Sequence, residues 1–131
     1  MPASNYLQRQ SLNAFLRGTV PTIPSTCYLA LYTTNPGASD SGTEVNGVGY
    51  ERPPVTFSAA TSSGTSSSVS NSAAVTFLEA GGSWGRVAYL GIRDAATGGN
   101  LLYYGALSTA LDVLAGTTPK FEAGTLTVFL E

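Results

Sequence analysis

Apolar positions along the chain follow two rhythms. Between Ser4 and Gly18, Leu12, Phe15 and Leu16 recur at i, i+3 and i+4, with Leu7 further back on nearly the same side. Gln8, Arg9, Gln10 and Asn13 fill the other positions. That spacing predicts a short amphipathic helix with a narrow apolar stripe. Ser4 or Asn5 supplies the N-cap oxygen, and Gly18 stands where a helix-ending glycine belongs. The "VPTIP" that follows cannot extend the helix, because proline lacks the N–H and restricts the residue before it.

Beyond Thr26 the period shortens to two. "TCYLALYT" (Thr26–Thr33) is apolar or aromatic on both parities, the mark of a strand covered on both faces. A long loop with the turn signal Asn35-Pro36-Gly37 comes next, then a short strand after Pro54, where proline favours an edge or a strand start. "ATSSGTSSSVSNSAA" reads equally as a linker or as a polar surface hairpin. Ala74–Ala80 reads as a strand. Val87, Tyr89 and Gly91 then alternate with Ala88, Leu90 and Ile92, Gly98-Gly99 permit a turn, and "LLYYGAL" returns. This hairpin is expected to be the central pair of a sheet. "STALDVLAGTTPK" fits strand or helical turn, and "FEAGTLTVFLE" alternates to the end. One helix and six to eight evenly spaced strands predict an all-β chain, a small β-sandwich or jelly-roll-like barrel with a short N-terminal helix. Residues 1–25 are assigned to the helix and an arm, and residues 26–131 to a single β-sandwich domain.

Composition narrows the function. Of 131 residues, 11% are charged, against about 25% in ordinary soluble domains. A polar but uncharged surface is cheap to desolvate, which suits subunit packing. The net charge is −2, and the six cations are scattered without a run. No nucleic-acid footprint and no polybasic membrane patch is present, so neither partner is expected. Cys27 is the single cysteine, and its apolar setting marks a small buried hydrophobe. No apolar run reaches transmembrane length and the first residues lack a signal-peptide core, so the chain is expected to be made in a cytoplasm.

Catalytic constellations are missing. The chain has no histidine, which removes Ser-His-Asp and Cys-His arrangements, and one cysteine cannot build a usual zinc site. Gly47-Val48-Gly49 has no strand-to-helix context and reads as a turn. Asp40, Glu44 and Glu51 share a loop, but they lack both the cleft of a glycosidase and the dense acidic spacing of a calcium loop. No enzyme activity and no cofactor is expected. Trp84 either faces solvent to stack on a sugar or, the favoured reading beside glycines, caps the core. Tyr103 and Tyr104 point to opposite faces of a strand, one inward and one outward. The helix either covers the sheet or anchors a neighbouring subunit. Leu12, Phe15, Leu16, Trp84 and Tyr104 are the candidate assembly residues.

Two blocks carry a resemblance. "YLALYTTNPGASDSGTEVNGVGYERPPVTF" holds Leu31-Tyr32-Thr33, Pro36-Gly37, Gly42-Thr43-Glu44-Val45, Gly47-Val48-Gly49-Tyr50 and Arg52; "SWGRVAYLGIRDAATGGNLLYYGAL" follows. Together, from about Tyr28 to Leu107, they resemble a family of small bacteriophage virion proteins commonly labelled tail-fibre proteins, similar to capsid decoration (cement) proteins. The resemblance implies no catalytic residues and a structural role for its motifs. Glu44, Tyr50 and Arg52 are expected to form a loop clamp in which carboxylate meets guanidinium. The implied function is a virion structural protein. Capsid decoration by a homo-oligomer, a trimer packed on the major capsid protein, is preferred. The alternative is a tail-fibre, tail-tip or baseplate component.

Overall fold

The structure, a computed structural model, describes residues 1–130. Helix α1 spans Asn5–Arg17. Its cap Ser4 is extended (φ −68°, ψ 162°), and its hydroxyl oxygen accepts from the Leu7 N–H at 3.2 Å. Gly18 (φ 71°) ends the helix in the left-handed region that glycine adopts without strain. Ser4 also rivets the helix to the sheet. Its backbone N–H donates to Leu102 O at 2.8 Å, and its hydroxyl donates to Leu101 O.

Among the described residues nine strands follow: β1 Cys27–Tyr32, β2 Pro54–Val55, β3 Thr61–Ser63, β4 Ser66–Ser70, β5 Val75–Thr76, β6 Gly85–Arg93, β7 Leu101–Val113, β8 Lys120–Phe121 and β9 Thr127–Leu130. They form three antiparallel sheets, ordered β2-β1-β6-β7, β3-β4-β9 and β5-β8. The fold is all-β as expected, with one short N-terminal helix, but among the described residues no barrel closes.

Register explains the core. Leu29 lies opposite Ile92 and Leu31 opposite Leu90, so all four side chains share one face. Val55, Phe77, Trp84, Val87, Val113 and Leu126 pack into the same core. Nearer the helix, Ile92, Leu102 and Val128 meet Val69, Tyr103 and Leu7, which joins the sheets carrying β6 and β9. On the opposite face of β1–β6, Ala30 pairs with Gly91 and Tyr32 with Tyr89. A Cβ at Gly91 would stand 2.7 Å from Leu101 Cδ1 and 2.9 Å from Tyr32 Cε2, so the missing side chain admits both.

Several expectations shift. The Ser-rich stretch is a hairpin, β3–β4, turning at Gly64 (φ 62°) and joined to β9. The 74–80 strand shrinks to Val75–Thr76, because Phe77 and Ala80 direct their N–H groups to Pro119 O and Thr117 O. "STALDV" is strand. Partners step from Tyr89↔Ala106 to Val87↔Leu111, so residues 107–110 bulge from β7. The β6–β7 hairpin is not the central pair: β1 and β6 are interior, and β7 is an edge strand. The start of that edge is covered by the bridge Ala3↔Tyr103 and the Tyr104 N–H bond to Pro2 O.

Candidate functional site

The three residues grouped in the sequence as a clamp meet in space. Arg52 donates from Nε to Glu44 Oε2 at 2.7 Å and from Nη2 to Glu44 Oε1 at 2.6 Å, a two-point fork. Its Nη1 donates to Ala95 O and Gly98 O, both at 2.9 Å. The Tyr50 hydroxyl donates to Glu44 Oε2 at 2.6 Å and accepts from the Leu31 N–H at 3.1 Å. One carboxylate thus ties the long 33–53 loop to β1, and one guanidinium ties that loop to the β6–β7 turn. Burial pushes the Glu44 carboxyl up, but the Arg52 and Tyr50 hydrogen bonds and the arginine charges outweigh it and hold it below its ordinary value. Burial, then the bond to Glu44, raises the Tyr50 hydroxyl.

A second clamp has no counterpart in the sequence reading. Arg93 ends β6 with its side chain 9% exposed and forks onto Asp40, Nη1 to Oδ1 at 2.8 Å and Nη2 to Oδ2 at 3.0 Å. It also donates to the Tyr32 hydroxyl at 2.8 Å and to Gly99 O at 3.0 Å. Burial works against the charged guanidinium, but Asp40 and Tyr32 overcome it and raise its pKa. Asp40 adopts φ 57°, the left-handed region that Asp tolerates better than most residues. Asp94 completes the turn by accepting from the Asn100 N–H at 2.6 Å and from its Nδ2 at 3.0 Å. The signal for this clamp was an arginine on the parity of Gly91, inside an otherwise inward pattern. Such a residue requires a carboxylate, and Asp40 lies 53 residues earlier.

The assembly candidates separate into two groups. Leu12, Phe15 and Leu16 are exposed, Phe15 at 88%, and α1 buries no residue fully. Val20 and Ile23 on the following arm, which the sequence reading did not single out, are equally bare. The helix and arm enclose an open apolar groove of about 480 Å³ whose lining includes Leu7, Ala14, Phe15, Ile23 and Leu102. Trp84 belongs elsewhere. It is 5% exposed, its Nε1 donates to Val48 O at 2.9 Å, and its ring meets Tyr50 edge-on at 5.4 Å. A Cβ at Gly47 would fall 2.2 Å from the indole, so that glycine makes the ring's seat. The indole is core, not surface, and offers no face to a sugar or a subunit. Tyr104 is half-buried on the β7 edge, and Tyr103 packs with Ile92 and Leu102.

The polar clusters tie loops together; an open cavity of about 500 Å³ lined by Glu44, Tyr50, Arg52 and Thr97 borders the first of them, while the groove between helix and arm is apolar. Arg52 and Arg93 spend their donors on loop carbonyls and carboxylates. Among the described residues, no three metal-ligating side chains cluster and no helix is long and apolar enough to cross a membrane. No curated protein matches the chain. The family model described as podophage GP4 fiber I protein gp80 matches residues 2–129, from the start of the segment that leads into α1 to the body of β9. The chain therefore belongs to the podophage GP4 fiber I protein gp80 family and is a structural protein of the phage virion.

Proposed function

We propose that the protein serves as a fibre component of the virion tail, acting through packing and contact rather than catalysis. The observation that carries this reading is the match of a fibre family across residues 2–129. The structure supports it in two ways. The most elaborate polar cluster ties loops together instead of presenting a reactive group. The apolar helix and arm are bare, which suits contact with other virion subunits. The partners in this reading are further copies of the chain and neighbouring tail proteins; the host cell's cytoplasm is where it is made.

Copy number tests the proposal against capsid decoration. Quantitative mass spectrometry of purified virions, scaled to the major capsid protein, is expected to give a small number of copies per particle. A ratio approaching that of the capsid protein would overturn the fibre reading in favour of decoration.

A further inference from the structure

We propose that the protein associates head to tail with copies of itself, the α1–arm face of one copy seating on the Trp84 end of the next. This rests on the fibre reading and deepens it by naming the two faces that meet. Two unpartnered apolar patches lie at opposite ends of the β6–β7 hairpin. The first runs over Leu12, Phe15, Leu16, Val20 and Ile23, 58–90% exposed; Phe15, Val20 and Ile23 line the groove that Asp94 and Leu102 also border. The second is Val48, Leu78 and Leu114, 54–69% exposed. Val48 O holds the Trp84 indole, and Leu114 follows Val113, the partner of Gly85 at the start of β6. The nine residues of β6 separate the two patches by roughly 30 Å at about 3.3 Å each.

Area and charge both select a second copy as the occupant. Together the two patches expose eight large apolar side chains, enough for the apolar core of a specific contact, whose polar rim brings it to the ~1,000 Å² such contacts bury. Among the described residues, four of the six cations are ion-paired within the chain: Arg52, Arg86, Arg93 and Lys120. Arg9 and Arg17, the remaining two, both lie on α1, and α1 carries no acid. Glu79, beside Leu78 at the other end, is exposed and has no ion-pair partner among the described residues. The Asp94 carboxylate near the groove is already held by Asn100. Pairing two α1 faces would set arginine against arginine, whereas α1 on the Trp84 end sets arginine near Glu79. A contact between different patches leaves one of each open at every step. It therefore closes into a ring, three-fold included, or runs on as a filament.

Two variants decide the matter: Phe15→Glu with Leu16→Glu, and Val48→Glu with Leu114→Glu. All four residues are exposed, and circular dichroism checks that both chains fold. In sedimentation velocity the unaltered chain is expected to grow beyond a dimer with concentration. Each variant alone is expected to associate at least about tenfold more weakly. Mixed one to one, the variants are expected to form dimers that grow no further, since one intact head meets one intact tail. Two results overturn the inference: an unaltered chain that stays monomeric throughout, or a Val48/Leu114 variant that associates as the unaltered chain does. Neither result touches the fibre reading, which virion copy number tests separately.

Discussion

Replacing Arg52 with Ala removes four hydrogen bonds at once. The Arg52 side chain is 7% exposed and Glu44 25%. The change leaves a mostly buried carboxylate with only the Tyr50 hydroxyl, and it deprives Ala95 O of its donor. Breaking a buried pair from one side costs about 3–5 kcal/mol. Glu44 is a quarter exposed and recruits water in compensation, so the expected loss is about 3 kcal/mol, near the bottom of that range. For a chain of this length that is a fall in melting temperature of about 10 °C. Arg86→Ala is the internal control. Its bond to Asp112 is 3.3 Å long with both side chains about two-thirds exposed, and its loss is expected to cost under ~0.5 kcal/mol. Arg52→Lys keeps the charge but not the planar fork, so it is expected to fall between the two. Chemical denaturation with unchanged m-values measures all three. If Arg52→Ala is no more destabilising than Arg86→Ala, the clamp does not hold the loops and the reasoning fails.

Three other outcomes follow from the same geometry. Glu44 has a folded pKa below its ordinary 4.5, so its stabilisation is present above about pH 4.5 and lost as pH falls through the folded value; the stability gap between the unaltered chain and Glu44→Gln should close on acidification, and a gap constant from pH 7 to 3 would contradict this. Gly91→Ala forces a methyl against Leu101 and Tyr32, each 1% exposed, and should cost about 1–3 kcal/mol by calorimetry, a neutral result refuting the close fit. Asn71, 2% exposed, accepts from the Leu126 N–H and donates to Ala73 O and Glu122 O; Asn71→Ala should cost about 2–4 kcal/mol and speed exchange of the Leu126 amide, while unchanged exchange would count against its role as a peg.

Local signals were read well from the chain and long-range ones poorly. The caps of α1 carry their own chemistry, a hydroxyl before the helix and a glycine after it, so Ser4 and Gly18 were readable without any tertiary knowledge. Alternation over Val87–Ile92 marks β6, and an apolar run on both parities marks β1, for the same reason. Sheet order is another matter. Nothing in "LLYYGAL" says that β7 lies at an edge, because β1 reaches its place beside β6 through the 52-residue excursion 33–84. The Glu44–Arg52 clamp was accessible because both residues sit in one loop motif. Its twin, Asp40 with Arg93, was not, since the pairing depends on how that loop folds back over β6. Asn71 looked like one more polar residue in a serine tract. Only the return of residues 122–126 makes it a buried peg. The Trp84 indole lies in the core, seated over Gly47, a glycine 37 residues earlier that the neighbours of Trp84 do not announce.

Antibody-gold labelling of intact purified virions tests the central claim most directly. Gold is expected at the tail alone, in few copies per particle. Gold spread over the head would contradict it and establish decoration of the shell instead.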